Sequence, residues 1–214
     1  NKTIEFIDND QDIEEHYQNL INIYEDLKIR NNEYRLKTLL YILSNISNNH
    51  HRYSKFFEKI EKILQLFEQE IKEKYSNYEI FQIFKNNKRI LRFLIKSDIL
   101  YINEDIKNKM KKEKYDSFNF FIYLFPEITL KVKSTNEIDD KFENKLNEGE
   151  NEYLITKIIR NDSINDFISY VKQTDYPLDS FIKRSIFETN RFLIKRPNIT
   201  IIEYAAFFGS IQIF

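Results

Sequence analysis

Thr200-Ile201-Ile202-Glu203-Tyr204-Ala205-Ala206-Phe207-Phe208-Gly209 is the stretch on which the reading of the fold turns. A threonine at its start can cap a helix by accepting a hydrogen bond from a backbone N–H of the first turn. Ile202 is assigned to the face that meets the core. Ala205 and Ala206 are small where a neighbouring element must come close. Gly209 ends the helix where a left-handed backbone is wanted. Ile211 and Phe214 then begin a second helix. The stretch predicts a helix, a tight turn and the opening of a partner helix.

The pattern occurs twice. Asp162-Ser163-Ile164-Asn165-Asp166-Phe167 matches Gly209-Ser210-Ile211-Gln212-Ile213-Phe214, and Ile158-Ile159 stands where the later copy has Ala205-Ala206. The two copies are 47 residues apart, from Asp162 to Gly209. Asp162 in the glycine position makes the earlier copy divergent, as a capping unit would be.

The later copy resembles the ankyrin signature Thr-Pro-Leu-His-x-Ala-Ala-x-x-Gly, with Ile201 for the proline and Glu203 for the histidine. An ankyrin unit is about 33 residues, so the spacing implies roughly 14 inserted residues, placed within Thr174–Asn198. The segments Ile159–Ser163, Phe167–Val171, Ser185–Asn190 and Ile202–Ile211, with Phe125-Pro126-Glu127-Ile128 before them, are similar to a large group of protist ankyrin-repeat proteins. Those proteins carry an N-terminal helical domain of unknown function. The likeness covers residues 118–214; residues 1–117 match in style only. It implies a longer repeat array and no characterised activity.

Outward from there, the chain reads as helices. Ile13, Tyr17, Leu20, Tyr24 and Leu27 share one face of a helix over 11–29. Leu36, Leu39, Leu40, Leu43 and Ile46 stripe a helix over 33–47, broken by the polar run Ser47–His51. Residues 54–74 form one amphipathic helix, and shorter ones follow at 77–85 and 87–96. Residues 103–113 are charged, an exposed helix or loop. Phe118–Phe125 is an aromatic run, helix or strand, stopped by Pro126. The expected fold is all-α: a helical array over 1–130, an exposed connection with a short helix over 131–150, and divergent ankyrin-type repeats of an α-solenoid over 151–214.

Composition agrees with helices, since the 214 residues hold only 2 glycines and 3 prolines and hairpins need more turn residues. The net charge of -1 argues against a dedicated nucleic-acid binder. With no cysteine, disulfides, thiol catalysis and cysteine-ligated zinc are excluded. No apolar run reaches the roughly 20 residues of a membrane span. An intracellular place, cytoplasmic or nuclear, is expected. The start without Met and the apolar end at Phe214 are taken to mark a fragment.

Chemistry-bearing clusters are few. His50-His51 lacks further ligands of the right kind for a metal. Glu14-Glu15 and Asp139-Asp140 sit in polar runs and read as solvated faces. Two distant glycines build no phosphate loop. The expected role is therefore a non-enzymatic scaffold for an unidentified protein partner, with no cofactor, metal or small-molecule substrate. The inserted finger is the expected contact surface, with Arg160, Tyr176, Arg184, Glu188 and Arg196 as contact residues. Thr200, Ala205, Ala206 and Gly209 are repeat-structural. The alternative is a nucleic-acid-associated protein using the basic stretch Lys107–Lys114.

Overall fold

The computed structural model describes residues 2–9, 11, 13–49, 55–112, 123–124, 140–196 and 198–214. Among the described residues there are thirteen helices and no strand; Phe181 and Thr200 form an isolated antiparallel bridge. The chain divides into two compact units, Asn1–Lys133 and Ser134–Phe214.

The first unit contains α1 (Lys2–Asp8), α2 (Ile13–Asp26), α3 (Glu33–Asn49), α4 (Phe56–Leu66), α5 (Glu68–Lys74), α6 (Asn77–Phe84), α7 (Lys88–Lys96) and α8 (Glu104–Lys112). Its core runs through Leu36, Leu40, Leu43, Ile60, Ile63, Leu64, Phe84, Ile90, Leu91 and Leu94, all buried. These positions recur at the three- and four-residue spacing of an apolar helix stripe. Four departures from the sequence reading have identifiable physical causes. Helix α1 is additional. Its Phe6 and Ile7 are buried, and buried Lys59 of α4 donates to Ile7 O (2.9 Å) and Asn9 O (2.6 Å). A cation thus satisfies carbonyls at the C-terminal end of α1.

Helix α3 runs on to Asn49, into the polar run that was expected to end it. Ser47 Oγ and Asn48 Nδ2 both donate back to Ser44 O at 2.8 Å, and Asn87 Nδ2 donates to Ser47 O at 2.7 Å. These donors bond back to the helix's own carbonyl and Asn87 takes up the Ser47 carbonyl, so the run does not break the helix at Ser47. The expected helix over 54–74 is interrupted at Phe67, whose φ and ψ are -110° and 16°. Phe67 is buried against the ring of Tyr24 (5.5 Å) and under the Arg30 guanidinium (5.1 Å). Leu27 is exposed because α2 stops at Asp26 and Lys28 turns to φ 48°. The charged segment forms α8 with Ile106 and Met110 buried, so it is amphipathic. Of the aromatic run, Tyr123 and Leu124 are described, and both are buried; the rest lies outside the described residues.

The second unit contains α9 (Asp140–Glu148), α10 (Leu154–Arg160), α11 (Ile164–Thr174), α12 (Arg191–Lys195) and α13 (Ile201–Phe208). Helix α9 is the short helix expected in 131–150. It is packed, with Leu146 buried and the Phe142 ring edge-on to Phe187 at 5.2 Å. Ile155 and Ile159 of α10, Leu193 of α12, and Ile201, Tyr204 and Ala205 of α13 share one core with Ile182 and Ile199.

Two helix starts carry a reciprocal capping box, Ser76 with Glu79 and Thr200 with Glu203. Glu203 thus completes the cap at Thr200, a role the sequence reading did not foresee. Hydrogen bonds from the Ser76 and Thr200 backbones hold both carboxyls below their ordinary value. Stability from a depressed carboxyl is complete above its unfolded value of 4.5 and lost as pH falls through the lower folded value. Helicity followed by circular dichroism should therefore begin to fall below pH 4.5. In the E79Q/E203Q double variant that part of the acid slope should disappear.

Candidate functional site

The two copies of the sequence pattern become two helix-and-turn units. Helix α10 leads through Asn161, Asp162 and Ser163 into α11, with Asp162 at φ 50°. Helix α13 ends at Gly209, at φ 70°, and a turn follows. Asp162 therefore adopts the left-handed backbone that Gly209 adopts. A glycine bears that conformation without a Cβ penalty; an aspartate bears it better than most residues. After Gly209 the chain forms one turn, Phe214 N donating to Ser210 O at 3.0 Å, where a second helix was expected to begin.

These two helix-and-turn segments are bonded to each other. Buried Ser210 donates through Oγ to Ile159 O, and Gln212 N donates to the Asp162 carboxylate at 3.0 Å. Arg160 donates through Nη1 to the Tyr204 hydroxyl (2.9 Å) and through Nη2 to Asn151 O (3.0 Å). Its Nε lies 2.8 Å from the Glu150 carboxylate. Burial first, and then the Glu188 carboxylate nearby, raises the Tyr204 hydroxyl well above its ordinary pKa.

The register of α13 corrects the sequence reading. Ile201, Tyr204 and Ala205 turn inward, whereas Ile202 is 57% exposed and Ala206 is exposed. One residue rotates the helix by about 100°, so the face was assigned one position too late. Thr200 caps α13 and Gly209 ends it, both as expected.

Between α11 and α13 lies an excursion of the chain that includes α12. It leaves α11 at Asp175, with φ 50°. Its two limbs are tied where Ile182 N donates to Ile199 O at 2.8 Å. Thr189 fastens it by donating to Gly149 O from its backbone N (3.1 Å) and its Oγ (2.7 Å). Asn151 Nδ2 donates to Lys183 O at 2.8 Å, and Ser185 donates to Glu152.

The five expected contact residues are not brought together on one surface. Arg160 is the internal clamp described above. Glu188 is 6% exposed, and its Oε1 accepts from Asn190 N at 2.7 Å. A carboxylate that braces its own loop from inside does not meet a partner, which corrects that assignment. Tyr176 is half-buried, its ring 5.6 Å from that of Tyr170. Arg184 and Arg196 are exposed. Arg196 reaches Glu203 (3.1 Å) and lies 4.7 Å over the Phe192 ring.

Missing from the sequence reading are Arg191, Phe192 and Lys195 of α12, all exposed beside Arg196. The spacing Arg191-Phe192-x-x-Lys195-Arg196 carried the signal, because residues four apart share a helix face. The Phe192 ring stacks on Phe207 of α13, with centroids 5.1 Å apart and planes 5° apart. Exposed arginines and aromatic rings on an ordered frame are the side chains that dominate protein interfaces.

Elsewhere, Lys107 of the basic stretch pairs with Glu104 at 2.6 Å. Glu113 and Lys114 lie outside the described residues, as do His50 and His51. Among the described residues no cluster of three or more metal-ligating side chains occurs. No helix among them is long and apolar enough to cross a membrane. Comparison with protein-family models, with curated proteins and with solved structures finds no match to this chain.

Proposed function

We propose that the chain is part of a protein-interaction scaffold, in which a helical domain leads into divergent ankyrin-type repeats. One observation carries this reading. Helix α10 shares a core with α13 through Ile155 and Ile159. The 47-residue offset maps those two positions onto Ile202 and Ala206, which are exposed. Helix α13 thus turns outward the same positions through which α10 packs against it. A solenoid is built by such repetition, because one unit cannot bury its own apolar face and stacking a neighbour buries it. Ile211, 84% exposed, and Phe214 lie on the turn that follows α13.

On this reading the units stack to make a frame, and the braced excursion between α11 and α13 meets an unidentified protein partner inside the cell. The role is non-catalytic and takes no small-molecule substrate. The basic stretch at Lys107 is a weaker alternative, since Ile106 and Met110 anchor α8 and Lys107 is paired.

The test is to append one designed ankyrin capping unit, with a polar outer face, directly after Phe214. Covering Ile202, Ala206 and Ile211 should raise the melting temperature by about 4 °C or more and reduce self-association in analytical ultracentrifugation. An unchanged melting temperature, with the added unit moving independently by NMR relaxation, would overturn the repeat assignment.

A further inference from the structure

We propose that the outward face of α12 docks an acidic segment of another protein, one whose carboxylates alternate with aliphatic side chains. This deepens the scaffold reading and rests on it for the kind of partner. Leu193 is the buried anchor of α12. Arg191 and Lys195 are four residues apart and share a face. Phe192 and Arg196 have the same spacing next to them. All four side chains belong to exposed residues, Phe192 at 44%.

From Phe181 onward the charges of the excursion are sorted by sign. From Phe181 to Arg196 the cations are Lys183, Arg184, Arg191, Lys195 and Arg196, and every one is exposed. The one acid in that span, Glu188, is buried and bonded to Asn190 N. The nearby Glu203 is engaged by Arg196 at 3.1 Å. Surfaces that serve only solubility intersperse both signs, and this chain as a whole is near neutral at -1. A single-sign strip attracts and orients a partner of opposite sign.

The strip is also held in place before anything binds. Asn190 caps α12 by accepting from Phe192 N at 2.9 Å, and Thr189 just before it is tied to Gly149 O. A pre-ordered frame loses little conformational entropy when it binds. The aromatic geometry favours a peptide over a nucleic acid. Phe207 lies parallel to the Phe192 ring and the Arg196 guanidinium lies over it. Phe192 is thus already engaged by a ring and a cation, which leaves it less available for the base stacking that single-strand binding relies upon. The exposed part of Phe192 suits an aliphatic side chain.

The experiment uses the whole 214-residue chain and fluorescence anisotropy with three labelled probes. These are a peptide of alternating Glu and Leu, the same peptide with Gln for Glu, and a single-stranded oligonucleotide of equal charge. The Glu–Leu peptide should bind, and its affinity should fall as salt is raised. The double variant Arg191→Glu/Lys195→Glu should weaken it by about tenfold or more, and the neutral Gln pair should fall between. Phe192→Ala should weaken it with no change in the salt slope. Equal binding of the Gln peptide, tighter binding of the oligonucleotide, or an unaltered charge-reversed variant would each overturn the proposal. If the capping unit raises the melting temperature while the acidic peptide fails to bind, the scaffold stands and the acidic partner falls. If the peptide binds and the capping unit has no effect, the repeat reading falls alone.

Discussion

Arg160→Met should destabilise the second unit by about 3 kcal/mol or more, seen as an early loss of helicity on heating or in urea. The guanidinium is almost buried and has three partners from two places in the chain: Tyr204, and the neighbours Glu150 and Asn151. Methionine keeps most of the volume and loses all three bonds. It leaves the Glu150 carboxylate, itself largely covered, without its cation. Removing one member of a shielded pair costs more than the pair contributes, because the other charge stays unpaired. Arg160→Lys should fall between the two, since one ammonium cannot span three acceptors in a fixed fork. A methionine variant that melts like the parent would remove Arg160 from the clamp and return it to the surface set.

Ile159→Ala should cost about 2–5 kcal/mol, the usual consequence of a cavity at a fully buried branched side chain. Ile159 is buried in the core that α10 shares with α13. Its counterpart 47 residues on, Ala206, is exposed, as is Ile202, the counterpart of Ile155. Ile202→Ala should therefore change stability by no more than about 0.5 kcal/mol. Chemical denaturation of the two variants side by side reads the contrast. With the capping unit appended, Ile202→Ala should become costly, because the added neighbour converts an exposed side chain into a buried one. Equal sensitivity of Ile159 and Ile202 in the parent chain would mean that α13 is not open on its outer side.

The helices themselves were legible because their signals are local. Beyond α1, the helices of the first unit follow from three- and four-residue apolar spacing and polar breaks. Helix α1 escaped because seven residues hold too few turns to show a period; its stability comes from Phe6, Ile7 and the distant Lys59. The interruption at Phe67 escaped for a related reason. Its cause is a ring seated against Tyr24 and Arg30, both far earlier in the chain. In the second unit, Thr200 as cap and Gly209 as left-handed terminus were readable from residue type alone.

The contact residues were harder to read. Arg160, Glu188 and Arg196 are all charged residues near the excursion, and the chain alone does not separate them. Arg160 and Glu188 are drawn inward by their hydrogen-bond partners, and Arg196 is left outside. The exposed face of α12 depends on Leu193 finding the shared core, which then turns Arg191, Phe192 and Lys195 outward.

The helical make-up of the described residues, the turn at Gly209 and the two copies of one pattern could be read directly from residue order, because periodicity, caps and glycine act within a few residues. Packing settled which side of α13 is inside, which arginine is a clamp and which charges meet solvent. Arg160 meets Tyr204 across a separation of 44 residues, and Ser210 meets Ile159 across 51. No local pattern encodes an approach over such distances along the chain; it appears only in the list of contacts that the folded core makes.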